Sequence, residues 1–226
     1  MVLATHLGGD LGGELGQVVV LTIAVCGVAT LLAALPAVPL GAWLALHPTR
    51  GARLLRVFTR TLYGMPPVVV GLVVFILLSR AGPLGDAGLL FTAEAMVVAQ
   101  ALLVFPLMLG LTMSAVEAVD PSLRETARSL GVHGRLLVRT FLREAREGWL
   151  SAVLVGFGRA VSEVGAVLIV GGNILHHTRV LTTAIVEETE VGNFQFALAL
   201  GAVLMVVALA TTLAIGRLEE RGAVAA

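Results

Sequence analysis

The chain contains no lysine: all fifteen of its basic residues are arginine. A Walker A loop places a lysine on the nucleotide phosphates, so the chain holds no P-loop of its own. Schiff-base chemistry is excluded for the same reason. If nucleotide powers this protein, the nucleotide binds another chain. Cysteine is almost as scarce. Cys26 stands alone inside an apolar run, cannot form an internal disulfide, and reads as a small packing residue. Charge is the third shortage: 13% of the 226 residues are charged and 58% are hydrophobic, with a mean hydropathy of +0.97. Ordinary globular domains are about 45–50% apolar and about 25% charged, so this composition describes an integral membrane protein. The formal net charge is zero, which offers nucleic acid no bulk attraction, and no nucleic-acid partner is expected. Residues 1–16 include Asp10 and Glu14 but no basic residue. They lack the positive start of a secretory signal, so the first apolar run is expected to stay in the mature chain.

What is present is arranged as five apolar stretches, at about 17–46, 62–79, 95–116, 149–170 and 194–215. A bilayer core of about 30 Å needs about 20 apolar residues in a helix, so these predict an all-α membrane protein with five spans. No connection is long enough for a soluble domain, and residues 1–226 read as a single transmembrane domain. The first stretch exceeds one span and is expected to tilt or bend at Pro36 or Pro39; Pro106 is expected to kink the third. Pro66 and Pro67 stand early in the second, where a missing N–H is tolerated.

Arginine asymmetry sets an expected orientation. The 47–61 connection, the 117–148 segment and the C-terminal tail hold twelve arginines, whereas the other side has only Arg80 and Arg179. This predicts an N-terminus outside and a C-terminus in the cytoplasm. No internal repeat is visible, which argues against an inverted-repeat secondary carrier. Five helices make a thin wall around a pathway, so two copies lining it about a two-fold axis are expected.

The polar segment 120–148 is the exception to all this apolarity. Asp120-Pro121 has the form of an aspartate cap followed by proline at the first helical position. Leu123, Ala127 and Leu130 then recur at helical spacing, and Gly131 stands where a left-handed stop is wanted. A second helix is expected next, with Leu137, Phe141 and Ala145 on one stripe and Arg139, Arg143 and Arg146 on another. Periodicity alone leaves two readings: a hairpin whose arginines face lipid headgroups, or an element grasped by a soluble partner.

The residues themselves carry a resemblance. Glu125-Thr126-Ala127, with Gly131 four positions later, resembles the EAA loop of the membrane subunits of ABC-type importers. In that family the loop forms a coupling helix that docks on a cytoplasmic ATPase. The pattern departs after the turn, where the family's Leu-Pro places hold Arg143-Glu144. Gly64-Met65-Pro66-Pro67-Val68-Val69-Val70-Gly71-Leu72 followed by Gly82-Pro83-Leu84-Gly85 resembles the second span of molybdate and tungstate permeases. Gly158-Arg159-Ala160-Val161-Ser162-Glu163-Val164-Gly165, with Val170-Gly171-Gly172-Asn173-Ile174 and Thr178-Arg179-Val180-Leu181, is similar to the tungstate type. The resemblance spans roughly residues 20–215 and implies a type I ABC importer permease fold with a cytoplasmic coupling helix. It implies ATPase-coupling residues Glu125, Thr126, Ala127 and Gly131. The implied partners are a second copy, two cytoplasmic ABC ATPase chains, an extracytoplasmic binding protein, the lipid bilayer and an oxyanion, tungstate first and molybdate or sulfate as alternatives. ATP and magnesium would sit on the ATPase, with no cofactor in this chain, in the plasma (inner) membrane of a bacterium or archaeon.

Arg159 and Glu163 lie four residues apart in the fourth apolar stretch, with Ser162 beside them. A charge at mid-bilayer costs about 2.5–3.5 kcal/mol and normally faces protein or water. On one helix the two side chains could meet, either as a self-neutralising structural pair or as part of a pathway or gate reaching to Asn173. Gly171-Gly172 could turn backbone N–H groups toward an anion or simply end the helix. His176-His177 has no third ligand at metal spacing. Residues 179–190 read as a short external helix, a plug or a binding-protein contact, and Gln100 as a helix–helix hydrogen bond. Two competing classes are a self-contained channel or proton-coupled carrier, and an intramembrane enzyme. Against the enzyme, the spans hold no visible nucleophile–base set.

Overall fold

The computed structural model describes residues 11–47 and 50–225, and among them there are helices and turns but no strand. The helices are α1 (Leu11–Leu46), α2 (Arg50–Tyr63), α3 (Pro67–Leu78), α4 (Ala93–Glu117), α5 (Pro121–Ser129), α6 (Gly134–Glu144), α7 (Arg146–Val161), α8 (Gly165–Gly171), α9 (Leu181–Glu190) and α10 (Phe194–Ala225). Three stretches are long and apolar enough to cross a bilayer: Gly13–Leu46, Ala93–Glu117 and Phe194–Leu213. Two helix pairs, α2 with α3 and α7 with α8, pass the same test together, each bent at a short break. Among the described residues the candidate spans therefore number three, or up to the expected five if each bent pair is one span. Apolar side chains turned outward, such as Leu198 at 75% and Met205 at 70% exposure, suit hydrocarbon rather than water.

Pro36 and Pro39 lie inside α1 and Pro106 inside α4, and both helices run on through them. Proline is tolerated in spans because neighbouring groups satisfy the freed carbonyl. Pro67 opens α3, at the position where its missing N–H costs nothing. The 47–61 connection differs from expectation: residues 50–63 are helical. Leu54, Leu55 and Phe58 alternate with Arg53, Arg56 and Arg60 at helical spacing, a signal that the charge count obscured. Arg56 fastens this helix. Its guanidinium donates to the Leu44 carbonyl at 3.0 Å and pairs with Glu117 at 2.7 Å, so it satisfies an orphan carbonyl at the end of α1.

The chain divides into two compact units. One comprises Met1–Ala29, Pro67–Gln100 and Val161–Ala208. Within it α3 packs closely on α8: a Cβ at Gly71 would lie 2.7 Å from Ala166 Cα, and one at Gly165 2.8 Å from Val68 Cγ2. Small residues at such crossings let backbones meet where no hydrophobic effect is available. Val18, Leu181, Ala184 and Leu200 form a second core in this unit, and Gln100 is buried in the same unit. The other unit comprises Thr30–Pro66, Ala101–Ala160 and Leu209–Ala226. Its core gathers Ala42, Ala45, Leu46, Val116, Phe141 and Ala145.

Candidate functional site

The polar segment forms as its residues dictate. The Asp120 carboxylate accepts the Ser122 N–H at 2.7 Å, and that bond holds its pKa below the ordinary value. Pro121 opens α5. At the other end Gly131 takes φ +67°. Its N–H bonds the Arg128 carbonyl at 3.0 Å, while Val132 N–H bonds the Ala127 carbonyl at 2.9 Å, the double closure that a left-handed glycine allows. α6 follows, with Phe141 and Ala145 buried and Leu137 packed against them. The Arg124 guanidinium lies 5.8 Å from the Phe141 ring centre.

The four residues expected to couple to an ATPase divide by environment. Ala127 is buried and Gly131 closes the turn, so both serve the shape of the segment. Glu125 and Thr126 are exposed on α5. Leu130 departs from the apolar stripe drawn for it: it caps the helix and stands 74% exposed. Exposed Glu125, Thr126, Ser129 and Leu130 thus present a mixed polar and apolar face that the unit itself leaves uncovered.

The fourth span corrects an expectation. α7 ends at Val161, residues 162–164 are non-helical, and α8 starts at Gly165. Arg159 lies in the last turn of α7, where a cation meets the carbonyl end of the helix. Glu163 lies beyond that end, so the i, i+4 geometry of a continuous helix is absent. Polar groups of Glu163 serve the break. Its carboxylate accepts the Ala166 N–H at 3.2 Å, and its carbonyl accepts the Thr182 hydroxyl at 2.8 Å. Those bonds occupy groups that a continuous helix would have paired internally. Glu163 is 4% exposed, whereas Ser162 is exposed.

After α8 the chain turns at Gly172 (φ +70°) and Asn173 (φ +51°). The Gly172 N–H bonds the Leu168 carbonyl at 3.0 Å, so of the two readings of the glycine pair the helix stop is realised. Asn173 joins a loop cluster: its amide donates to Glu187, whose carboxylate also pairs with Arg179 at 2.6 Å. Arg179 further lies 3.6 Å from Glu14. Glu188 accepts from Asn193 at 2.8 Å, and His176 bonds Gln17 at 2.8 Å. The acidic end of α9 is thus largely spent on holding its own loop. No group of three or more metal-ligating side chains occurs among the described residues. Sequence reasoning missed Glu187 as the hub of this cluster. Its signal was Arg179 eight residues upstream, beyond any single-helix pairing rule.

Comparison with known proteins fits this geometry. The chain is 42% identical over 206 residues to a tungstate uptake system permease protein of Peptoclostridium acidaminophilum, covering 90% of this chain and 89% of that one. It is 45% identical over 163 residues to a probable anion ABC transporter permease protein of Haloferax volcanii, covering 70% of each. The crystal structure of an amino acid ABC transporter with histidines matches with a TM-score of 0.70 at 18% identity, over 94% of this chain and 95% of that one. That likeness shows the fold, the type I permease architecture. Residues 37–222 match the model of the binding-protein-dependent transport system inner membrane components, and the chain belongs to that family.

Proposed function

We propose that this chain is the permease subunit of an ATP-driven, binding-protein-dependent importer of an oxyanion, tungstate first. The observation that carries the substrate is the 42% identity over nine-tenths of the chain to a tungstate uptake permease. Two copies form the pathway, an external binding protein delivers the anion, and two ATPase chains bind ATP and magnesium. The uncovered face of α5, with Glu125, Thr126 and Leu130, is the ATPase contact, while Ala127 and Gly131 hold its shape. The lack of lysine fits a permease that leaves nucleotide to its partner. The segment 120–148 and the C-terminus face the cytoplasm and the N-terminus faces outward, following the arginine distribution.

In this reading Arg159, Ser162, Glu163 and Asn173 belong to the pathway or its gate through the broken span. Interrupted helices are tolerated at membrane depth where they line a cavity or are buried in protein. The break gives α7 and α8 a joint at which two arrangements can differ. Molybdate or sulfate is the alternative cargo, and calorimetric titration of the partner binding protein with the three anions separates them. Purification in mild detergent tests the assembly: an ATPase chain should be recovered in equal number. Its absence would favour a self-contained channel.

A further inference from the structure

The polar segment has a second half whose chemistry the ATPase contact does not use. On α6, Arg135, Arg139 and Arg143 recur every four residues and share one stripe, and Arg146 extends it at the start of α7. All four line one groove of about 680 Å³. The same groove is walled by Trp43 and Trp149, the only two tryptophans of the chain. Trp43 lies near the end of α1 and Trp149 near the start of α7, the level at which tryptophan marks the edge of a bilayer. The Trp149 indole donates to the Leu142 carbonyl at 2.9 Å, and Trp43 stacks on His47 at 5.0 Å. Both rings are therefore held in place.

Among the described residues no carboxylate lines this groove. The neighbouring acids Asp120, Glu144 and Glu147 line a different one. Arg146 reaches Glu147 only at 3.6 Å, with its own side chain 67% exposed, and among the described residues no ion pair engages Arg135, Arg139 or Arg143. A solvated arginine stripe alone would be ordinary. Four guanidinium groups around an apolar floor flanked by two interfacial tryptophans select an occupant that is anionic at one end and hydrocarbon at the other. Arginine forks match phosphate oxygens in pairs, and basic pockets beside spans hold acidic lipid headgroups.

We propose that this groove binds an acidic phospholipid, with its phosphate on Arg139 and Arg143 and its upper acyl chain between Trp43 and Trp149. The lipid ties α6 to the bilayer on the side where α5 keeps its outer face open to protein. The assignment depends neither on which anion is carried nor on the ATPase contact.

The two tryptophans make the site directly readable. The full-length chain is reconstituted in phosphatidylcholine bilayers containing graded amounts of brominated phosphatidylglycerol or brominated phosphatidylcholine, and quenching of tryptophan emission gives the relative affinity. Phosphatidylglycerol should be preferred about tenfold. R139Q/R143Q should bring that preference close to unity, R139K/R143K should keep most of it, and R80Q, outside the groove, should leave it unchanged. Equal quenching by both lipids in the wild type would overturn the proposal, whether or not the glutamine variant folds. So would a preference that survives R139Q/R143Q. Sodium tungstate or inorganic phosphate shifting the emission in pure phosphatidylcholine, with no lipid preference, would reassign the groove to a free oxyanion. Loss of the lipid preference on adding the partner ATPase would reassign it to protein contact.

Discussion

The Glu163 carboxylate accepts the backbone N–H of Ala166 at 3.2 Å, so the acid just before α8 satisfies a first-turn donor of that helix. A carboxylate at a helix start satisfies an orphan donor and meets the positive end of the helix dipole.

Glu163→Ala is expected to destabilise the protein by about 1–2 kcal/mol, because it removes that acceptor. Glu163→Gln keeps an acceptor oxygen and should cost less. Thermal unfolding of the detergent-solubilised variants measures both. A Glu163→Gln protein that melts like wild type yet imports nothing assigns the negative charge to transport. Retained import in that variant assigns Glu163 to structure.

The loop after α8 turns on Arg179, whose side chain is 12% exposed and paired with Glu187 at 36%. Arg179→Ala leaves Glu187 without its cation, at a cost of about 2–4 kcal/mol between the exposed and buried limits for such pairs. Arg179→Ala with Glu187→Gln should recover part of that loss, because the stranded charge is removed. Hydrogen exchange over residues 172–190 should rise in the single variant and fall back in the double. Equal exchange in both would show that the pair does not hold the loop.

At the end of α5, Leu130→Asp changes a side chain that is 74% exposed. It should leave the melting temperature within a degree or two while uncoupling uptake from ATP hydrolysis. Gly131→Ala acts differently. At φ +67° a side chain costs about 1–2 kcal/mol, so it should lower stability and coupling together. Parallel unfolding and coupled-ATPase assays distinguish the two patterns.

Asp120 adds a pH dependence. Its ordinary value is 3.8, and the Ser122 N–H lowers it in the folded chain. A depressed carboxylate contributes stability fully present above the unfolded value and lost as pH falls through the folded one. α5 should therefore fray on acidification from about pH 4 downward, and Asp120→Asn, which keeps an acceptor, should remove that dependence. Helicity of the segment followed by site-specific exchange between pH 6 and pH 3 is the check.

Much of this was legible in the residues because it rests on local chemistry. Asp120-Pro121 and Gly131 bounded α5, Phe141 and Ala145 marked a buried stripe, and apolar length marked the three long helices. What escaped depended on pairing between distant segments. Nothing near Glu163 in the chain announces that Thr182 takes its carbonyl, which is one reason the broken span read as continuous. Gly71 and Gly165 were noticed as parts of two resembling motifs, whereas the structure shows those motifs pack on each other across α3 and α8. The helix over residues 50–63 was visible in the spacing of its arginines and leucines. The same arginines carry the orientation signal, which masks the helical spacing.

The central claim is ATP-driven import through this chain. Its most direct test is uptake of labelled tungstate into proteoliposomes holding the chain with its ATPase, with the binding protein outside and ATP inside. Uptake that requires ATP, the ATPase and the binding protein together is the predicted result. Tungstate flux through the chain alone, indifferent to ATP, would contradict it.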